Sequence, residues 1–127
     1  MGQCYTTYLR VKFADERGAV KAVQERLIGM GEDIEQLSRD NGLDYNSVDG
    51  ILRHYYSNWE NGHTWTRSTD PDVLRGDFDA NYGWESVMIE VFELLAPYLQ
   101  DGSELKIYPD SDYDYLVVRS GKAEWIH

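Results

Sequence analysis

The chain has 127 residues, 42% of them hydrophobic and 28% charged, with 12 Lys and Arg against 23 Asp and Glu, a formal net charge of −11. These proportions fit one globular domain spanning residues 1–127, long enough to bury roughly two-thirds of its unfolded surface, and they exclude a disordered tail or a membrane span. A single cysteine, Cys4, excludes an internal disulfide; with no apolar run after Met1, the expected compartment is the cytoplasm.

Met1-Gly2-Gln3-Cys4-Tyr5-Thr6 fits the spacing of a myristoylation signal. An acidic chain is repelled by anionic membrane surfaces, however, and the segment reads better as a first strand. Over residues 5–13, Thr7, Leu9, Val11 and Phe13 alternate with Thr6, Tyr8, Arg10 and Lys12, the two-residue period of a strand with one wet face. Asp15 can cap a helix over 16–29, where Val20, Val23 and Leu27 share a face and Gly29 and Gly31 supply the stop. A shorter helix over 32–40 ends at Asn41-Gly42. Ser47 is placed to cap a third helix with an apolar stripe of Val48, Ile51, Leu52, Tyr55 and Trp59. Gly50 inside that helix costs about 1 kcal/mol relative to alanine, so packing must hold it.

Asn61-Gly62 marks a turn, His63–Thr69 is extended, and Asp70-Pro71-Asp72 breaks the chain. Asp77–Tyr82 alternates again as the return arm of a hairpin with an acidic outer face. The strongest helical signal is Trp84–Leu95, with Trp84, Val87, Met88, Val91, Phe92 and Leu95 on one face and Glu85, Glu90 and Glu93 away from it. Pro97 predicts a stop or kink near residue 95. Three short strands follow, Glu104–Tyr108, Tyr113–Arg119 and Lys122–Ile126, the last two joined by the tight turn Ser120-Gly121. Strands at both ends with helices between them predict an α+β fold: an antiparallel sheet with helices packed on one face and a C-terminal β-meander.

No motif for catalysis stands out. Asp110, Asp112 and Asp114 begin like a calcium loop, but Tyr115 stands where the loop needs glycine and Gly121 where it needs a bidentate glutamate. Cys4, His54, His63 and His127 match no zinc spacing. No nucleophile elbow or phosphate-binding glycine loop is present, so no catalytic residue, metal ligand or cofactor is assigned.

Charge is the informative signal. Residues 1–30 carry five cations against three carboxylates, whereas residues 70–114 carry twelve carboxylates against only Arg75 and Lys106. Such a field disfavours direct nucleic-acid binding and membrane contact and favours a cationic partner. Trp65 and Tyr113, beside these carboxylates, are the aromatic residues suited to a partner rich in Arg and Lys.

The run from Trp84 to Leu99, Asp101-Gly102-Ser103 and the Tyr-rich hairpin after it resembles the ending of small uncharacterised acidic proteins of Gram-positive bacteria and their mobile elements. In size and charge the chain is also similar to phage-encoded inhibitors of host defence and to immunity proteins. The resemblance supplies no activity.

The expected function is therefore that of a non-enzymatic binding protein that covers a cationic surface of a basic protein partner. An inhibitor that mimics nucleic acid against a host defence nuclease is its sharpest form. The expected contact residues are Asp77, Asp79, Glu85, Glu90, Glu93, Asp110, Asp112 and Asp114, with Trp65 and Tyr113. The alternatives are a cation-dependent hydrolase using Asp110, Asp112 and Asp114 with Glu85 or Glu90, and a small-molecule binder with an aromatic pocket.

Overall fold

The computed structural model describes residues 2–56, 63–66, 72–81, 83–108 and 114–126, and side chains within 5–56, 72–76, 83–108 and 114–126. Its centre is β1 (Gly2–Val11), which pairs antiparallel with β3 (Asp72–Asn81) on one side and with β4 (Glu104–Tyr108) on the other. With β2 (His63–Thr66), β5 (Asp114–Arg119) and β6 (Lys122–Trp125), the sheet has six antiparallel strands in the order β2-β3-β1-β4-β5-β6. Both ends of the sequence thus meet in one sheet, and β4-β5-β6 form the expected C-terminal meander.

Four helices occur among the described residues: α1 (Glu16–Gly29), α2 (Ile34–Asn41), α3 (Val48–Tyr56) and α4 (Trp84–Leu95). Their ends follow the side-chain chemistry. Asp15 and Asp33 cap α1 and α2 by accepting from the backbone N–H of Gly18 (3.0 Å) and Gln36 (3.1 Å), and Ser47 Oγ accepts from Gly50 N–H (3.3 Å) at the start of α3. Gly42 closes α2 at φ +67°, a conformation that costs glycine nothing. At Pro97 the chain leaves α4 for one 3-10 turn, Ala96–Tyr98.

All the helices lie on one face of the sheet, and alternation along the strands decides what they cover. Tyr5, Leu9 and Val11 of β1 meet Leu74 of β3, Leu105 and Ile107 of β4, and Leu116 and Val118 of β5 in one buried layer. Against it pack Ala19, Val23 and Leu27 of α1, Ile51, Leu52, Tyr55 and Tyr56 of α3, and Met88, Val91, Phe92 and Leu95 of α4. Helix α2 buries no residue and only leans Ile34 and Leu37 on this core.

Thr7 and the Tyr56 hydroxyl bring polar groups into the core, and both are satisfied, as burial requires. Thr7 Oγ1 donates to the Tyr56 carbonyl (2.6 Å), and the Tyr56 hydroxyl donates to the Met88 carbonyl (2.7 Å), tying β1, α3 and α4 together. Burial holds the Tyr56 hydroxyl well above its ordinary pKa, so it stays a donor. The variant Tyr56→Phe is expected to lose about 1 kcal/mol, read as a lower urea midpoint with an unchanged slope.

The strand bounds differ from the sequence expectation: β1 starts at Gly2 rather than residue 5, β6 ends at Trp125 rather than Ile126, and two further differences have physical reasons. Strand β3 starts at Asp72 rather than Asp77, because a proline just before a strand interrupts no ladder hydrogen bond. Strand β1 ends at Val11: Lys12 N–H donates to Ser103 Oγ (3.1 Å), and Phe13 continues only as a bridge to Leu99. Trp59, Tyr82 and Tyr113, expected in regular elements, lie outside the described residues.

Candidate functional site

The two faces of the sheet carry opposite charge. The helices and their connections, residues 14–56 and 83–101, hold thirteen carboxylates against five cations, Arg17, Lys21, Arg26, Arg39 and Arg53. On the other face no layer packs among the described residues. There Arg10, Arg75, Lys106, Arg119 and Lys122 outnumber Glu104 and Glu124 among the described side chains. Among the described side chains the open sheet face is therefore basic and the helical layer acidic, with the positions of Asp77 and Asp79 in step with the open face.

The expected contact residues divide between these two sides. Glu85, Glu90 and Glu93 are on α4, in the helical layer. Glu85 is half-buried and accepts from the Tyr5 hydroxyl, which burial and then this carboxylate push up to about 12. Glu90 pairs with Arg26 of α1 (3.3 Å), and Glu93 is exposed. Asp77 and Asp79 oppose Thr6 and Cys4 in the register of β1 and β3, positions that alternate with Tyr5 and Thr7 of the covered side. Asp114 opposes Ile107, in step with the buried Leu116 and Val118. Trp65 opposes Leu74 in the register of β2 and β3, while the side chains of Trp65, Asp77 and Asp79 and the whole of Asp110, Asp112 and Tyr113 lie outside the described residues. The α4 carboxylates and the β3 positions are thus separated by the sheet.

Sequence reasoning overlooked two groups of residues. One is the acidic run Glu32, Glu35, Asp40 and Asp44 around α2, exposed in the helical layer; its signal was a helix with acidic residues on several faces and only Arg39 against them. The other is a row that crosses four strands of the open face, Arg75, Tyr8, Lys106 and Tyr115, each opposite the next in register. Lys106 Nζ lies 4.9 Å from the ring centre of Tyr115 and 5.7 Å from that of Tyr8, within cation–π range. The Tyr115 hydroxyl donates to Glu104 (2.8 Å), and Tyr108, opposite Thr6, is 42% exposed at the end of β4.

A polar cluster of different character sits inside the helical layer. Asn41 Nδ2 donates to the Tyr45 hydroxyl (2.8 Å), which lies 2.6 Å from His54 Nδ1. Burial first, and the Arg26 guanidinium second, lower the His54 pKa to about 4. The imidazole is therefore neutral at pH 7, and with the Tyr45 proton directed at Nδ1 the geometry is that of a held core histidine. A groove of about 850 Å³ between α1 and the start of α3 is lined by Arg17, Lys21, Gln24, Asn46 and Asp49 among others. Its walls contain no aromatic ring, so it is not the pocket that the small-molecule alternative calls for. Among the described residues no group of three His, Cys, Asp or Glu side chains is placed to hold a metal ion, and no helix is long and apolar enough to cross a membrane. Comparison of the chain with protein-family models, curated proteins and solved structures returns no match.

Proposed function

We propose that the protein is a non-enzymatic binding protein whose acidic helical layer covers a cationic surface of a protein partner. Inhibition of a nuclease by nucleic-acid mimicry is the sharpest form of this reading. The observation that carries it is the concentration of negative charge in the helical layer, thirteen carboxylates against five cations, whereas cations outnumber carboxylates among the described side chains of the open sheet face. A one-signed surface raises the association rate with an oppositely charged groove and loses that advantage as salt rises. Glu32 and Glu35 by α2 and Glu93 on α4 are exposed and supply charge at little structural cost.

The test is calorimetric titration of purified basic nucleases at 50 and 300 mM NaCl with three sets of variants. Glu32→Gln with Glu35→Gln and Glu93→Gln is expected to weaken binding about tenfold at 50 mM NaCl and much less at 300 mM. Asp77→Asn with Asp79→Asn, and Asp110→Asn with Asp112→Asn, report on the sheet side and on the β4–β5 connection. Binding that ignores both salt and all three sets would sink the proposal.

A further inference from the structure

We propose that the open face of the sheet binds single-stranded nucleic acid along the row Arg75–Tyr8–Lys106–Tyr115. The row runs perpendicular to the strands β3, β1, β4 and β5, alternating a cation with a ring at each strand. Neighbouring strands are about 4.8 Å apart, so the row spans about 14 Å, enough for two or three nucleotides. Arg10 and Tyr108 lie two residues to either side of it, on β1 and β4, and widen the track.

Each part of this surface has a partner in a single strand. A ring offers a flat face on which any base can stack, and a cation beside it meets the phosphate that joins that base to the next. A duplex keeps its bases stacked inside and offers only phosphates. An acidic peptide matches the cations but leaves the rings without a counterpart.

Sheet stability accounts for part of the face, since opposite charges facing each other across strands are favourable and Arg10 stands opposite Glu104. It does not account for the row itself, in which Arg75 and Lys106 each face a ring in register and neither faces a carboxylate. The net charge of −11 argues against nucleic acid only when it is averaged over the molecule. The helical layer lies behind the sheet, and salt screens exposed charges beyond about 8 Å at physiological strength. Affinity is therefore expected to be modest and steeply salt-dependent.

Fluorescence anisotropy of a labelled ten-nucleotide oligouridine, at 25 and 150 mM NaCl, tests the proposal against a labelled duplex and a labelled ten-residue polyglutamate. Oligouridine is expected to bind at least tenfold more tightly than either. Arg75→Gln and Arg10→Gln should each weaken binding severalfold and make its dependence on log salt shallower by about 0.7. Tyr115→Leu should weaken it about tenfold at both salt concentrations, while Tyr115→Phe, which keeps the ring, should not. Circular dichroism melts confirm that each variant is folded, and Glu32→Gln with Glu35→Gln, in the helical layer, should not weaken it. No binding of oligouridine at 25 mM NaCl overturns the proposal. So does equal binding of the duplex or of polyglutamate, or displacement of oligouridine by self-association of the protein in sedimentation.

Discussion

Replacing Gly50 by alanine is expected to destabilise the protein by about 3 kcal/mol, although alanine is the better helix former by about 1 kcal/mol. The cause is the approach of α3 to the turn before it. A Cβ on Gly50 would overlap the carbonyl oxygen and carbon of Asp44, which are backbone atoms with no rotamer to change. That turn is itself fixed, since Ser47 Oγ donates to the Asp44 carbonyl (3.0 Å) and Asn46 N–H donates to its carboxylate (2.9 Å). Moving the turn disturbs Leu43, Tyr45 and Val48, all buried. Gly29, the last residue of α1, has nothing within 4 Å of an added Cβ and no positive φ. Gly29→Ala is therefore expected to be neutral or to gain about 0.5 kcal/mol. Urea unfolding of the two variants decides the matter: equal and small effects would show that α3 does not need the close approach.

Gly50 also shows how far the sequence can be read. A glycine in the middle of an apolar helical stripe announces that packing outweighs propensity, but the partner that demands it, the Asp44 turn, is visible only once α3 is docked. Helices α1 and α4 and the meander strands were legible because each carries its own period and its own punctuation: Asp15 and the glycines for α1, Pro97 for α4, Ser120-Gly121 for the last hairpin. The wet face of β1 was legible as well, with Tyr8 and Arg10 alternating against Leu9 and Val11. What no local pattern contains is strand order. Tyr8 meets Arg75 and Lys106 only because β1 lies between β3 and β4, and those residues are separated by most of the chain. Net charge hides the same information, since it sums two faces that the fold holds apart. The carboxylate-bearing residues grouped along 77–114 are close in sequence, yet they fall on elements the fold holds apart, Asp77 and Asp79 at β3 positions that alternate with the covered side and Glu85, Glu90 and Glu93 on α4.

Stability is expected to fall by about 3 kcal/mol as the pH is lowered from about 6.5 to about 4, through His54. In the folded chain this imidazole is enclosed by the Tyr45 and Tyr55 rings, with centroids 5.4 and 4.6 Å away, and Arg26 donates to the Tyr55 hydroxyl nearby (3.4 Å). Burial and the guanidinium both oppose a positive charge there, which lowers the pKa from 6.5 to about 4. Between those two values the unfolded chain binds a proton at residue 54 and the folded chain does not. Unfolding is therefore favoured progressively as pH falls through this window, and the full stability is present only above about 6.5. His54→Asn keeps an acceptor for the Tyr45 hydroxyl and removes the titration. Its urea stability measured from pH 4 to 7.5 is expected to lack the part of the slope that the wild type shows below 6.5, so the two curves should converge as the pH is lowered. Parallel curves would remove His54 as the source. The ring protons of His54 followed by NMR supply the direct check, with a midpoint near pH 4 expected and one near 6.5 excluding the account.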